Sequence, residues 1–435
     1  MCNPLPSAAN PGDSRFRADP GRGSVAARGG TGMVRAAAGE DGPTAWRRLG
    51  VALAAALVGN VGMWAYVVLI PAVQAEFGTA RGAAAVPYTA AMLGFAAGNV
   101  AMGRLADRLG LARTMLLAAV LQVAGIAASA LAPGLIWLAL AQGAVNLGAA
   151  TFFGPLIADV SFWFRRRRGI AVALAACGNY LAGAIWPLVL SAVLAAQGWR
   201  VVAALLAVLV LAAVPPLALA LRAPPPAPTA VSIAAEAARA AGPGLPPRTL
   251  LALLALSGLG CCVAMAMPQV HIVPYCVDLG YGLAVGAEMR ALILAGDVVS
   301  RIVSGLVADR LGGVRTLLIG ATLQALALTL YLPAGSMVSL YAVSLVFGLA
   351  QGGIVPSYAL IVRERLPARD AGTQVGIVMM TTILGMALGG WMAGAIYDAT
   401  GGYGAAFVNG IVWNLIPVAV MLILLRGAPP APARA

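Results

Sequence analysis

The chain has 435 residues, of which 61% are hydrophobic and 10% are charged, with a mean hydropathy of +0.90 and a formal net charge of +13. Soluble domains carry about 25% charged residues, so this composition excludes an ordinary soluble protein. Long apolar runs recur from Leu49 to Leu425, and each approaches the roughly 20 residues that an α-helix needs to cross a bilayer. The composition therefore predicts an all-α integral membrane protein.

The chain begins with a polar tail and continues with twelve apolar runs. Residues 1–48 are rich in Gly, Ala, Pro and Arg without apolar periodicity, which predicts a disordered tail. No short apolar stretch with a cleavage site precedes the first run, so a removable signal peptide is not expected. The predicted membrane spans, numbered one to twelve, lie at approximately 49–74, 83–103, 114–132, 134–157, 169–194, 201–221, 250–275, 286–306, 316–333, 338–361, 372–396 and 405–425.

The basic residues predict how these spans are oriented. All 28 are arginine, and 24 of them fall on the side of the membrane that also holds both termini when the spans alternate. Cytoplasmic loops concentrate Lys and Arg, so both termini are predicted to be cytoplasmic, in a bacterial inner membrane. The net charge of +13 is therefore interpreted as a topology signal, and nucleic acid is not an expected partner.

Several short segments of the sequence recur in order. GRLADRLGLART at 103–114 and GLVADRLGGVRT at 305–316 are identical at eight of twelve positions, 202 residues apart. The shorter matches QG and AGAI recur at offsets of 209 and 211 residues. This spacing predicts two pseudo-symmetric six-helix bundles at 49–221 and 250–426, joined by a Pro-rich cytoplasmic linker at 222–249 and followed by a short cytoplasmic tail at 427–435.

The repeated segment resembles the signature loop of the major facilitator superfamily, which follows the second and eighth spans. The resemblance covers residues 49–425 and implies a secondary transporter with two six-helix bundles that works by alternating access. The acidic residues of the loops can accept hydrogen bonds from a helix N-terminus or pair with nearby arginines, and the first glycine of each loop allows close helix approach. We therefore expect a conformational gate on the cytoplasmic side, formed by Gly103, Asp107, Arg108, Arg113, Gly305, Asp309, Arg310 and Arg315.

Four further stretches are similar to the monocarboxylate transporter group, which includes proton–monocarboxylate symporters and bacterial oxalate/formate exchangers. They are SFWFRRRRGIAVALAACGNYLAGAIWP at 161–187, QVHIVPYCVDLG at 269–280, DVVSR at 297–301 and GGWMAGAIYDATGGYGAAF at 389–407. The resemblance implies a lysine in the first or eleventh span, but this chain contains no lysine. A dicarboxylate that needs two cations is therefore disfavoured, and a monocarboxylate is favoured.

Asp297 and Arg301 lie one helical turn apart inside the eighth apolar run. Because Gly305 marks its cytoplasmic end, Asp297 lies about 12 Å and Arg301 about 6 Å into the membrane. Helical side chains tilt toward the N-terminus, which aims the arginine toward the midplane, although snorkelling to the cytoplasm is the structural alternative. An intramembrane charge costs roughly 2.5–3.5 kcal/mol and indicates function. We predict that Arg301 binds the substrate carboxylate, while Asp297 neutralises it in the empty site and takes up a proton.

His271 is the only histidine and lies near the outer end of span seven, between Pro268 and Pro274. Broken helices at membrane depth often line binding sites, and histidine titrates near physiological pH. His271 is therefore a candidate for substrate binding or proton coupling, and an ordinary interfacial histidine is the alternative.

Three further polar residues lie within spans one, four and ten, namely Asn60, Asn146 and Tyr358. Each could donate a hydrogen bond to the substrate, and interhelical packing is the alternative for each. Asp159 directly precedes the arginine run at 165–168 and is expected to pair with it.

Other classes of function fit the sequence less well. One histidine, no zinc-ligand spacing and no phosphate loop predict that the chain is not an enzyme and needs no metal or cofactor. The expected partners are a small organic anion, a proton and membrane lipid, with a monomeric state. A carboxylate exchanger is the first alternative, and a multidrug/proton antiporter is the second. The antiporter calls for an acidic residue in span one or four, and span one has none before Glu76.

Overall fold

The computed structural model of the protein describes residues 41–79, 83, 86–226 and 245–426. Within them the regular structure is helical, and eleven segments are long and apolar enough to cross a membrane. A twelfth, Val86–Leu109, is long enough but contains Asn99 and three charged residues near its end. Most of the predicted N-terminal tail and linker, and all of the C-terminal tail, lie outside the described residues.

The helices follow the predicted order of twelve spans. Their bounds are Pro43–Gly59 and Val61–Phe77 (span one), Val86–Leu109 (two), Leu111–Ala130 (three), Leu135–Ala149 and Gly154–Trp163 (four), Arg168–Gln197 (five), Trp199–Ala220 (six), Pro247–Asp278 (seven), Gly282–Leu311 (eight), Gly313–Tyr331 (nine), Met337–Gln351 and Ile354–Arg365 (ten), Ala371–Thr400 (eleven) and Gly404–Arg426 (twelve).

Two helices begin inside segments that the sequence places outside the two bundles. Span one begins at Pro43, inside the predicted tail, and span seven begins at Pro247, inside the predicted linker. Proline suits the first helical position, because its fixed φ is helical and its missing N–H would have no partner there. The first turns of these helices contain polar residues, so the apolar runs alone did not predict where the helices begin.

The breaks in the helices also lie elsewhere than predicted. Span seven is one continuous helix that contains Pro268 and Pro274, whereas spans one, four and ten are interrupted. At the first break, the Asn60 side chain donates to the Ala56 carbonyl at 2.8 Å and to the Phe152 carbonyl of span four at 3.3 Å. The Asn60 amide thus joins two interruptions that face each other.

Asp159 does not pair with the arginine run that follows it, which corrects the prediction. Arg48 of span one binds it instead, with Nε to Oδ2 at 2.9 Å and Nη2 to Oδ1 at 3.0 Å. Arg48 also donates to the Leu221 carbonyl at 3.0 Å and lies over the Trp163 ring. This buried network joins spans one, four and six, because Asp159 faces the bundle core while the arginine run lies beyond the helix end.

The two halves of the chain pack on each other at one end. We call it the motif end, because it carries the loops at 103–114 and 305–316, and we call the opposite end the far end. Span two packs on span eleven and span five on span eight, and the second segments of spans four and ten add further contacts across the halves. The far-end segment Val61–Phe77 packs on spans four, five and six of its own half. The described conformation is therefore closed at the motif end.

Candidate functional site

Asp297 and Arg301 form an ion pair near the middle of span eight. Arg301 Nη2 lies 2.8 Å and Nε lies 2.9 Å from Asp297 Oδ2, and both side chains are only 1% exposed. The guanidinium does not snorkel toward the helix end, because it is held by the carboxylate one turn closer to the centre. A charge pair this deep is costly to bury and forms only with close mutual hydrogen bonding.

The pair uses only part of the hydrogen-bonding capacity of its two side chains. Both contacts go to the same carboxylate oxygen, Asp297 Oδ2. Asp297 Oδ1 and Arg301 Nη1 are buried without a hydrogen-bond partner among the described residues. Since a guanidinium binds a carboxylate best through two parallel N–H groups, Arg301 retains a donor for a second anion.

Tyr180 of span five covers one face of the guanidinium. Arg301 Cζ lies 3.7 Å from the centre of the Tyr180 ring, within range of a cation–π interaction. Tyr180 belongs to the first half of the chain and Arg301 to the second, so the cation is held between the halves. The sequence analysis missed this residue; its signal was a tyrosine beside Gly178 and Asn179 in an otherwise apolar run.

Two buried thiols lie near this cation, and a buried hydroxyl pair joins two helices of the second half. Cys177 of span five and Cys262 of span seven are both buried and lie within electrostatic range of Arg301. The Tyr358 hydroxyl of span ten lies 2.8 Å from Ser257 Oγ of span seven, and Tyr358 is fully buried. The predicted residue Tyr358 therefore ties spans seven and ten together.

The side chains of the two predicted asparagines, Asn60 and Asn146, donate hydrogen bonds to backbone carbonyl groups in this conformation. Asn60 donates to carbonyl groups at the breaks of spans one and four. Asn146 is fully buried and donates to the Gln142 carbonyl one turn earlier at 3.0 Å, while its Oδ1 has no partner among the described residues. The structure brings neither side chain into contact with the Asp297–Arg301 pair.

His271 lies within the second half and is bound there at both ring nitrogens. Nε2 lies 2.8 Å from the Gly390 carbonyl of span eleven, and Nδ1 lies 3.3 Å from the Tyr403 hydroxyl. A carbonyl can only accept, so Nε2 carries a hydrogen and donates it to Gly390. The imidazole joins spans seven and eleven and is likewise separate from the Asp297–Arg301 pair.

The acidic residues of the repeated loops each hydrogen-bond to the opposite half at the motif end, and we call these two sets of bonds the clasps. Asp107 Oδ1 accepts from Gly372 N at 2.8 Å, and its Oδ2 accepts from Thr373 N at 2.7 Å. Asp309 accepts from Gly169 N at 2.5 Å and from Ile170 N at 3.2 Å. Each carboxylate thus binds the N-terminal turn of a helix in the other half, where the helix dipole favours negative charge.

The first glycines of the two loops lie where these helices touch. A methyl group at Gly103 would stand 2.4 Å from the Gly372 carbonyl oxygen, and one at Gly305 would stand 2.8 Å from Ile170 Cα. Any larger residue would therefore separate the halves.

The four predicted gate arginines are all exposed and make no ion pair within the described part of the chain, namely Arg108, Arg113, Arg310 and Arg315. Arg363 of span ten makes a cross-half contact that the sequence analysis did not anticipate. Its Nε donates to Ser161 Oγ at 3.0 Å, and its guanidinium lies 3.8 Å from the Phe162 ring centre.

Comparison with known proteins identifies the family. The sequence profile of the Major Facilitator Superfamily matches residues 52–296 and 279–435, which together span most of the chain. The chain belongs to the Major Facilitator Superfamily. This membership confirms the predicted all-α membrane fold with twelve spans in two six-helix bundles. Members of this superfamily are transporters, so the chain is a multi-pass membrane transporter.

Relatives and solved structures agree with this assignment. The chain is 30% identical over 319 residues to monocarboxylate transporter 11 of Mus musculus, covering 70% of each protein. It is 24% identical to the MFS transporter asaE of Aspergillus flavus over 71% of this chain and 69% of that protein. The crystal structure of the MFS transporter FucP in the outward conformation superposes with a TM-score of 0.71 at 13% identity, over 87% of this chain and 99% of that one. These relatives are mammalian and fungal, so they lend no support to the narrower likeness to bacterial oxalate/formate exchangers.

Proposed function

We propose that this chain is a secondary active transporter that moves a small monocarboxylate together with a proton. The observation that supports the proposal is the buried Asp297–Arg301 pair, whose guanidinium also lies against Tyr180 of the opposite half. A charge at membrane depth is costly and is kept where it binds an ion or a substrate. The likeness to monocarboxylate transporter 11 favours the same substrate class.

The carboxylate of the substrate binds at the edge of the Arg301 guanidinium. Because Tyr180 covers one face of the group, the edge that carries Nη1 and Nη2 is the side that can donate two parallel hydrogen bonds to a carboxylate. Binding there competes with Asp297 for Nη2 and leaves Nε for the aspartate. One cation balances one carboxylate, which favours monocarboxylates over dicarboxylates.

Charge balance then couples the anion to a proton. The empty pair is neutral, whereas a bound anion would leave one net negative charge among apolar and thiol side chains. An uncompensated charge in such surroundings is strongly unfavourable, and a proton on Asp297 restores neutrality. We assign proton coupling to Asp297 and a packing role to His271, because both nitrogens of His271 are already bound within its own half.

The arginine distribution supports a cytoplasmic motif end, with both termini on that side of a bacterial inner membrane. The described conformation, closed at the motif end, is then the outward-facing state. Release to the cytoplasm requires the clasps of Asp107 and Asp309 to open. Tyr180 must also slide on Arg301, because the two residues belong to different halves.

A carboxylate exchanger is the alternative that uses the same site. In an exchanger Asp297 stays ionised, and the empty site returns only when another anion occupies Arg301. Proton dependence distinguishes the symporter from the exchanger. A multidrug/proton antiporter would instead transport its substrates without needing Arg301.

Uptake into proteoliposomes tests the proposal. Counterflow of labelled lactate, pyruvate, acetate, formate and oxalate is measured with and without an inward proton gradient, in wild type, Arg301→Ala and the matched control Arg426→Ala. Arg426 lies exposed at the end of span twelve. We expect gradient-driven uptake of a monocarboxylate that only Arg301→Ala abolishes. Gradient-independent counterflow would indicate the exchanger, and normal transport by Arg301→Ala would contradict the carboxylate site.

A further inference from the structure

Asp41 immediately precedes span one and binds the junction between spans four and five. Its Oδ2 accepts from Arg165 N at 3.1 Å and from Arg166 N at 2.8 Å, and its Oδ1 accepts from Arg167 N at 3.1 Å. Its own N–H donates to the Trp163 carbonyl at 3.1 Å. Four hydrogen bonds therefore join a single residue to this junction.

The backbone of Asp41 is adapted to this contact. Among the described residues it is the one non-glycine residue with a left-handed conformation, at φ 59°. Aspartate tolerates this conformation better than most residues, because its short side chain can hydrogen-bond locally. The strain is offset where three backbone N–H groups converge on a carboxylate, an arrangement that favours an anion.

Neighbouring aromatic contacts hold the same segment. The Trp46 ring packs edge-on against Phe164 with ring centroids 5.2 Å apart, and the Arg167 guanidinium lies 6.0 Å from the Trp46 ring centre. The start of span one is thus fastened to the junction by packing as well as by the Asp41 carboxylate.

This junction leads directly into the gate. Two and three residues further along the chain, the N–H groups of Gly169 and Ile170 donate to Asp309 of the other half. Two carboxylates therefore bind adjoining stretches of backbone: Asp41 binds residues 165–167, just before span five, and Asp309 binds residues 169–170 in its N-terminal turn. A cavity of about 180 Å³ lies beside them between the halves and is lined by both Arg166 and Asp309.

We infer that Asp41 is a positioning residue for the motif-end gate. By fixing the turn at 165–167, it orients the first N–H groups of span five toward Asp309 and so favours the closed state. It touches no residue of the proposed substrate site and acts only through the junction. The inference does not depend on which substrate is carried.

The test measures the gate directly by spin-label distances in the purified full chain. One label pair, Ala223→Cys with Arg426→Cys, reports the motif end, and a second, Leu131→Cys with Val338→Cys, reports the far end. All four positions are exposed, and the labels are placed in a Cys2→Ser background because the four described native cysteines are buried. Variants are Asp41→Ala, Asp41→Asn and the matched control Asp370→Asn, an exposed aspartate before span eleven that makes no capping bond.

We expect Asp41→Ala to lower the ratio of motif-closed to motif-open molecules by about tenfold, since it removes charge-assisted bonds. The motif-end distance should lengthen and the far-end distance should shorten. Asp41→Asn, which keeps one oxygen acceptor, should lie between Asp41→Ala and wild type, and Asp370→Asn should match wild type. If Asp41→Ala does not fold, the difference between Asp41→Asn and wild type is the measurement that tests the inference.

A double-variant cycle decides whether Asp41 acts through Asp309. If it does, Asp41→Ala combined with Asp309→Ala shifts the ratio no further than Asp309→Ala alone, because the contact that Asp41 positions is already lost. Full additivity of the two shifts, or unchanged distances in both Asp41 variants, would overturn the inference.

Discussion

Arg301 of the second half stacks on Tyr180 of the first half, with the guanidinium carbon 3.7 Å from the ring centre. This contact joins the proposed anion site to the interface between the two halves. Any anion that binds Arg301 must therefore do so in the presence of a side chain from the opposite half, which couples occupancy of the site to the relative position of the halves.

Replacing Tyr180 separates stacking from the hydroxyl group. Tyr180→Phe keeps the aromatic face, so we expect its KM for the transported acid to stay within about twofold of wild type. Tyr180→Leu removes a cation–π interaction of about 0.5–2 kcal/mol, which corresponds to a roughly 2- to 30-fold rise in KM. Initial uptake rates in proteoliposomes measure both. Equal KM values for the leucine and phenylalanine variants would show that the stacking has no role.

Replacing Asp297 should uncouple the proton from the anion. Asp297→Asn cannot take up the proton, so we expect counterflow to persist while accumulation driven by a pH gradient is lost. Removing one partner of a buried pair costs about 3–5 kcal/mol, so folding is checked by size-exclusion chromatography. The neutral pair Asp297→Asn/Arg301→Gln serves as the control that folds without transport. Gradient-driven accumulation by Asp297→Asn would place the coupling proton elsewhere.

The clasps of Asp107 and Asp309 should determine the ratio of motif-closed to motif-open molecules. Asp107→Asn weakens three bonds to the opposite half and Asp309→Asn weakens two, so both are expected to lengthen the motif-end spin-label distance by favouring the open state. Because each carboxylate binds the N-terminal turn of a helix in the opposite half, both shifts should have the same direction. A shift for one variant and none for the other would mean that a single clasp holds the end closed.

His271 provides a test of the packing assignment. His271→Gln loses about one hydrogen bond, which costs about 1 kcal/mol, so we expect a lower thermal midpoint with proton-driven uptake retained. Thermal unfolding in detergent and uptake are measured on the same preparation. Loss of proton dependence with an unchanged midpoint would return the coupling role to His271.

Much of the fold and one part of the site could be predicted from the sequence. Asp297 and Arg301 were detectable because charges within an apolar run are expensive, and the clasp carboxylates were detectable because their loop repeats. The stacking of Tyr180 was not, since it depends on how two distant helices meet. The partner of Asp159 could not be predicted for the same reason. Arg48 is distant from Asp159 in sequence, and only the packing of spans one and four brings the two together.

The helix breaks show a second limit. Proline is the usual sequence signal for a break, yet span seven accommodates Pro268 and Pro274 without one. The interruption at Asn60 depends on a carbonyl of span four accepting its side-chain bond. Such breaks follow from tertiary contacts and leave little trace in a single sequence.

Simultaneous measurement of proton and anion entry tests the central claim most directly. Proteoliposomes that contain a pH-sensitive dye would be given the labelled monocarboxylate that counterflow identifies, for wild type, Asp297→Asn and Arg301→Ala. The account predicts one proton per anion in wild type, anion counterflow without proton entry in Asp297→Asn, and neither flux in Arg301→Ala. Anion entry at the wild-type rate in Arg301→Ala would contradict it.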